Sequence, residues 1–296
     1  MAIQTLLDPA LLGGLANLEL VARTVVDGFL TGLHRSPLFG FSLEFAEYRP
    51  YVQGDDPRFI DWNVFSRTDR TYIKRYLGET NTQLVILFDA SASMGYGSTG
   101  VTKIQYARFL ASALAYLSIR QHDAAGLIIF DKEVRAFRPP STRPGHLMAL
   151  LHMLERAEPA TTTNIELPFE HFQQHLTHRG MVAVISDLYA DPEQVLKAVR
   201  PLAYHGQDLA FFHILDPAEL QPSFSESTLL EDMETGDQLE VSPEYARKEY
   251  GKRIREHSEA MKRKAQDVGA DYVLLKTSEP LDLALREYLL FRQRRR

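Results

Sequence analysis

Asp89, Ser91 and Ser93 place a carboxylate and two hydroxyls at alternate positions directly after an apolar run, Leu84-Val85-Ile86-Leu87-Phe88. Three oxygens leaving a strand end together can converge on one point. A second apolar run, Met181 to Ile185, ends at Ser186-Asp187. Between the two lies Ala160-Thr161-Thr162-Thr163-Asn164-Ile165, a hydroxyl-rich loop just ahead of a helix. Ligands of open parallel sheets bind outside the carboxyl ends of the strands, so these segments are expected at one edge. Two carboxylates and three hydroxyls form an all-oxygen set suited to a hard cation such as Mg²⁺. With few charged ligands the ion keeps waters and surplus positive charge, and it then attracts an anionic group from outside. No member of the set is an evident nucleophile or base, so no catalytic residue is assigned. An Asp-x-Ser-x-Ser string alone also serves as a polar loop that caps the following helix. Asp187 and the threonine loop are what favour the cation.

Other constellations carry less. His171, His175 and His178 have a spacing that could bind zinc. Ile165, Phe169, Phe172 and Leu176 mark the core face of that helix, however, and the histidines fall beside it, toward solvent. Gly97 to Lys103 resembles a phosphate loop but lacks the Gly-Lys-Ser/Thr order. A phosphohydrolase built on Asp89 would want a second carboxylate where Ser91 stands. No Gly-x-Ser-x-Gly elbow supports a serine hydrolase.

The elements that must position the oxygens are legible from periodicity. Leu11, Leu15, Leu18, Ala22, Val25 and Phe29 form one stripe of an N-terminal helix. From Leu38 to Lys74 periodicity is lost among Tyr, Arg, Asp, Gly and Pro, which predicts an irregular subdomain. Its Arg49–Trp62 stretch serves either as an ion-paired brace or as a docking surface. Apolar runs then alternate with helical patterns. The runs are Leu84–Phe88, Ala124–Phe130, Met181–Ile185, Leu209–Leu215 and Tyr272–Leu275. The helices cover Lys103–Ile119, His146–Leu154, Ile165–Leu176 and Glu193–Leu202. Such alternation predicts an α/β, doubly wound, mostly parallel sheet with helices on both faces. Val134–Phe137 follows a turn after the second run. Leu229–Met233 and Gln238–Val241 flank Glu234-Thr235-Gly236-Asp237 as a hairpin insertion near 224–242. Pro243–Val268 reads as one long charged helix with a solvated face, and a last helix starts at Leu281.

Composition narrows the class. The 296 residues are 45% apolar and 24% charged, enough for a full core, and they suggest domains at 1–80 and 81–296. No cysteine is present, which excludes disulfides, thiolate metal sites and cysteine nucleophiles. A net charge of -6 argues against nucleic acid as a partner, and the basic tail from Arg292 reads as solvated. No stretch is long and apolar enough to span a membrane, and the first residues lack a signal-peptide pattern, so a cytoplasmic location is expected.

Together, Asp89-x-Ser91-x-Ser93 after a strand, Thr163-Asn164 and the strand-end Asp187 resemble the metal-ion-dependent adhesion site of von Willebrand factor A domains. The resemblance implies that Ser91, Ser93 and Thr163 coordinate Mg²⁺ or Mn²⁺, with Asp89 and Asp187 binding directly or through water. Glu47-Tyr48-Arg49-Pro50-Tyr51, Gly54 to Trp62, Asp216-Pro217-Ala218-Glu219 and Asp232-Met233-Glu234-Thr235-Gly236 look like the hallmarks of one bacterial family. This is the domain-of-unknown-function family of A-like proteins encoded beside MoxR-type AAA+ ATPases. It implies a non-enzymatic, metal-dependent protein-binding module, an adaptor or partner of such an ATPase or its client in protein maturation or remodelling. A partner's acidic residue would complete the metal site. The alternatives are a Mg²⁺-dependent phosphoryl-group hydrolase and a scaffold whose metal site is silent.

Overall fold

The computed structural model describes residues 8–15, 17–33, 45–52, 62–68, 70–76, 83–160, 162, 164, 166–174, 179–222, 226–234, 236–282 and 284–288. The chain divides into two compact units, Leu30–Asn81 and the combination of Met1–Phe29 with Thr82–Arg296.

At the N-terminus two helices stand where one was expected, α1 (Pro9–Leu12) and α2 (Leu18–Leu33). Asp8 starts α1 by accepting from Ala10 N at 2.9 Å, and Pro9 sits in its first turn. Gly13 and Gly14, both poor helix formers, then interrupt the stripe. Asn17 Oδ1 accepts from Leu20 N at 2.8 Å in the first turn of α2, and Leu18, Val21, Ala22, Val25, Val26 and Phe29 are buried.

In the Leu30–Asn81 unit, the stretch read as irregular contains regular elements. These are β1 (Phe45–Pro50), α3 (Trp62–Thr68) and β2 (Tyr72–Tyr76). Strands β1 and β2 pair antiparallel, with Arg49 opposite Ile73 and a bulge between Phe45 and Glu47. Sequences such as Phe-Ala-Glu-Tyr-Arg-Pro lack period-two alternation because a two-stranded ribbon need not bury one whole face. That is why periodicity missed them.

The larger unit is built on β3 (Gln83–Asp89), α4 (Lys103–Arg120), β4 (Ala124–Phe130), β5 (Val134–Ser141), α5 (His146–Glu155), α6 (Glu166–Gln174), β6 (Gly180–Ser186), α7 (Pro192–Tyr204), β7 (Asp208–Leu215) and α8 (Pro217–Leu220). It continues with β8 (Thr228–Glu231), β9 (Gln238–Val241), α9 (Pro243–Tyr245), α10 (Gly251–Asp267) and β10 (Asp271–Lys276). The main sheet runs β10-β7-β6-β3-β4-β5, parallel except for β5, which pairs antiparallel with β4. The chain passes from β3 to β4 on one side and later returns to β6 on the other. The crevice where strand order reverses therefore opens between the carboxyl ends of β3 and β6.

Every residue of β3 and β6 is buried, as uninterrupted apolar runs require of strands covered on both faces. One face carries Val85, Leu87, Val182, Val184 and Phe211 against Phe169 and Phe172 of α6, Val195 and Val199 of α7, and Met261 and Ala265 of α10. Helix α4 packs on β3 and β4 and buries Ala107, Leu110, Ala111 and Leu114. Each large apolar side chain buried this way contributes about 1.5–3 kcal/mol, so the strand ends emerge from a stiff platform. The charged helix expected over Pro243–Val268 is interrupted. A π-turn over Ala246–Tyr250 separates α9 from α10, with Gly251, a weak helix former, at the junction. Strands β8 and β9 form the expected antiparallel hairpin, Leu230 opposite Leu239.

Candidate functional site

The edge formed by β3 and β6 brings together four of the five residues singled out in the sequence. Asp89, fully buried, ends β3. Its Oδ1 accepts from Ser91 N at 2.9 Å, and its Oδ2 accepts from Ser186 Oγ at 2.5 Å. The chain then turns through a 3₁₀ segment, Ala92–Gly95, anchored by the buried Met94. This turn sets Ser91 Oγ and Ser93 Oγ 3.1 Å apart, within hydrogen-bond distance of each other. Burial, followed by the nearby charge of Asp187, pushes the Asp89 carboxyl up to about 7, against the lowering effect of its bonds from Ser186 and Ser91. Among the described residues no cation pairs with it. Ser186 also accepts from Leu188 N at 2.9 Å, which fixes the turn after β6. Ser186 was noticed in the sequence only as the neighbour of Asp187.

Asp187 is differently placed. Its Oδ2 accepts from Lys103 Nζ at 2.8 Å, and the same ammonium donates to Glu219 Oε1 at 2.7 Å. Lys103 is wholly buried at the first position of α4, and Nζ stands 4.8 Å above the ring of Tyr189. Burial would lower the lysine's pKa, but Asp187 and Glu219 more than offset it, and the net direction is upward. For Glu219, burial is the larger influence and raises its pKa against the pull of Lys103. Glu219 is held by a capping box, Glu219 Oε2 accepting from Asp216 N at 2.8 Å and Asp216 Oδ1 from Ala218 N at 2.8 Å. In the sequence Lys103 stands out only as the end of a phosphate-loop-like string and the first residue of a helix. A usable signal existed: a cation in the first turn of a helix opposes the helix dipole and calls for carboxylates close by.

The threonine loop is pinned on both sides of the gap. Ala160 N donates to Ala90 O at 3.2 Å, and Asn164 N donates to Asp131 O at 2.9 Å, at the end of β4. Asn164 Oδ1 accepts from Glu166 N at 3.1 Å and so starts α6. Thr162 is exposed, whereas Thr161 and the expected ligand Thr163 lie outside the described residues. Of the three histidines weighed for zinc, His171 packs edge-on against Phe137 at 4.9 Å, and His175 and His178 lie outside the described residues.

The hairpin reaches the same edge. Ser93 Oγ donates to Glu234 Oε1 at 3.2 Å. Asp232 shapes the hairpin turn by accepting from Glu234 N at 2.8 Å, and Gly236 adopts a positive φ of 75° that suits a residue without Cβ.

These donors fit a hard cation. A magnesium-like ion holds oxygens at about 2.0–2.1 Å in an octahedron, which spaces adjacent ligands about 3 Å apart. The Ser91–Ser93 separation of 3.1 Å meets that spacing. The buried Asp89 carboxylate supplies negative charge that no described cation offsets. Among the described residues no group of three or more His, Asp or Glu side chains is arranged to hold a metal. The set is hydroxyl-rich instead, so an ion here would keep part of its hydration.

A doubly wound sheet with Asp-x-Ser-x-Ser at its switch point defines a von Willebrand factor A-like α/β protein. Residues 47–260 match the family described as "Protein of unknown function DUF58", and the chain belongs to that family. It is similar to the uncharacterized proteins Rv1480 of Mycobacterium tuberculosis and Mb1516 of Mycobacterium bovis. Each is 26% identical over 274 residues, spanning 91% of this chain and 86% of the relative. Among solved structures it is similar to the conserved hypothetical protein BatB from Bacteroides thetaiotaomicron. That match has a TM-score of 0.52 at 16% identity over 72% of this chain and 99% of the other, and it bears on the fold alone. The SpRpn10 VWA domain is a looser match, with a TM-score of 0.44 at 12% identity, covering 69% of this chain and 93% of that domain. Among the described residues, no helix is long and apolar enough to cross a membrane.

Proposed function

We propose that this chain is a divalent-cation-dependent protein-binding module. In this reading Mg²⁺ or Mn²⁺ is held by Ser91 and Ser93, with Asp89 and Asp187 as the flanking carboxylates and Thr163 completing the set. The cation supplies a Lewis-acidic point of attachment for a carboxylate, while the chain's own residues orient it. The observation that carries the proposal is the convergence of a buried Asp89 carboxylate with the Ser91 and Ser93 hydroxyls at the switch point. The partner is an acidic residue on a MoxR-type AAA+ ATPase or on its client, as the family resemblance implies, and the setting is cytoplasmic.

The test is capture from the source organism's lysate with Mg²⁺, with EDTA and with Asp89→Ala, the bound proteins being identified by mass spectrometry. Recovery of an AAA+ ATPase only with Mg²⁺ and intact Asp89 is the expected result. One observation favours a second reading, a scaffold with a silent metal edge: Asp187 already has a cation in Lys103. Equal recovery of the ATPase in all three samples would select that reading.

A further inference from the structure

The hairpin β8–β9 sends Glu234 to the β3–β6 edge. Its carboxylate stands 3.2 Å from Ser93 Oγ, which is itself 3.1 Å from Ser91 Oγ. Adjacent ligands of an octahedral ion with bonds of about 2.1 Å are separated by about 3 Å, so both gaps have the length of an octahedron's edge. The turn that bears Glu234 is pre-formed. Asp232 accepts from Glu234 N at 2.8 Å, Gly236 N donates to Asp232 O at 2.8 Å, and Asp232 N donates to Asp237 O at 2.8 Å. It is also seated on the metal loop, since a Cβ added to Gly95 would lie 3.6 Å from Met233 Cε. One hydrogen bond from Ser93 and the close approach of Met233 to Gly95 thus bring the hairpin turn up to the 3₁₀ segment.

The charge balance points the same way. Asp187 is engaged by the ammonium of Lys103, which leaves Asp89 as the single uncompensated carboxylate among the described members of the expected set. A divalent ion bound there retains positive charge, and a second anionic oxygen stands beside Ser93.

We propose that Glu234 is a direct ligand of the cation, an acidic group from the chain's own hairpin that takes the position a partner's carboxylate would use. This rests on the divalent-cation reading of the Asp89 edge. Two consequences follow. The ion ties the hairpin to the sheet edge, so the backbone amides of β8 and β9 exchange more slowly when it is bound. A partner's acidic residue reaches the ion by displacing Glu234, so engagement of the partner frees the hairpin.

The experiment uses the full chain and Mn²⁺ alone, with free Mn²⁺ followed by electron paramagnetic resonance. Hydrogen exchange over residues 228–241 is measured with and without Mg²⁺. Glu234→Gln keeps an acceptor for Ser93 and removes only the charge, so it leaves the fold in place. Expected are Mn²⁺ binding by the wild type, at least ~10-fold weaker binding by Glu234→Gln, and Mg²⁺-dependent protection of the hairpin that the variant lacks. Equal Mn²⁺ affinity in wild type and Glu234→Gln, with weakened binding in Ser93→Ala, overturns the role of Glu234 and leaves the cation reading standing. No Mn²⁺ binding by the wild type overturns both.

Discussion

Two carboxylates stand at the ends of neighbouring parallel strands, equally buried, and the chain treats them in opposite ways. Asp187 has a cation built into the fold. Lys103 reaches it at 2.8 Å and shares its charge with Glu219. Asp89 has only neutral donors, an amide and a hydroxyl, and its carboxyl is pushed up to about 7 by burial and by Asp187. An ammonium fixed in the sequence makes a permanent structural joint. A buried carboxylate held only by neutral donors has no such joint, and in the proposed function its neutralisation falls to an ion from solution. The contrast separates a charge neutralised within the fold from one that is not, inside a single crevice.

Breaking the permanent joint has the largest expected effect. Lys103→Met leaves Asp187 and Glu219 buried without their shared cation. Removing one partner of such a buried group costs about 3–5 kcal/mol. Denaturant unfolding should register a loss of that size in EDTA. The stabilisation gained from Mg²⁺ should be larger than in the wild type, because Asp187 would then resemble Asp89. A loss below ~1 kcal/mol would mean that the Lys103 ion pairs do not organise the edge.

Neutralising the other carboxylate should act in the opposite sense. With a folded-state value of about 7 against an ordinary 3.8, Asp89 contributes stability that is fully present below about pH 3.8 and lost as pH rises through about 7. In EDTA, Asp89→Asn should therefore remove a fall in stability between those limits and be the more stable protein at pH 8. In saturating Mg²⁺ the order should reverse. The wild type gains roughly 2.7 kcal/mol at a hundredfold excess over its dissociation constant, and the variant gains nothing. Thermal melts at pH 5 and pH 8, each with EDTA and with Mg²⁺, check both halves. Asp89→Asn melting below the wild type in EDTA at pH 8 would contradict the buried, uncompensated charge.

The two regions also differ in how they could be read from sequence. Asp89, Ser91, Ser93 and Asp187 were legible because they follow apolar runs, and a run buried on both faces announces where a parallel strand ends. The Lys103–Asp187–Glu219 joint was not, because its members sit far apart in the chain and a first-turn lysine signals a need for carboxylates without saying which. Glu219 and Glu234 lay within segments noticed as family hallmarks, yet only the topology brings α8 and the hairpin to the β3–β6 crevice. Where the fold departed from expectation, the signal was weak for a physical reason. The sequence of β1 lacks period-two alternation, and the charged residues continue through the π-turn before α10 without a break in composition. Thr163, outside the described residues, stands on its sequence pattern alone.

The smallest effect gives the finest test of whether the two halves of the edge are separable. Thr102 and Gln105 close a capping box at the start of α4, with Gln105 N donating to Thr102 Oγ1 at 3.3 Å and Thr102 N to Gln105 Oε1 at 3.0 Å. This box sets the first turn from which Lys103 reaches inward. Thr102→Ala should cost about 1 kcal/mol of stability. Lys103 N donates to Tyr96 O at 2.8 Å, just past the serine turn, but that turn has further anchors in Met94 and the Ala90–Phe130 bond of 2.7 Å, so the loss should fall on the Lys103 side. Mn²⁺ affinity measured on the same variant should equal that of the wild type. A drop in affinity alongside the drop in stability would mean that the ammonium joint and the Asp89 edge move as one unit. The solution cation would then bind to a geometry that Lys103 itself maintains.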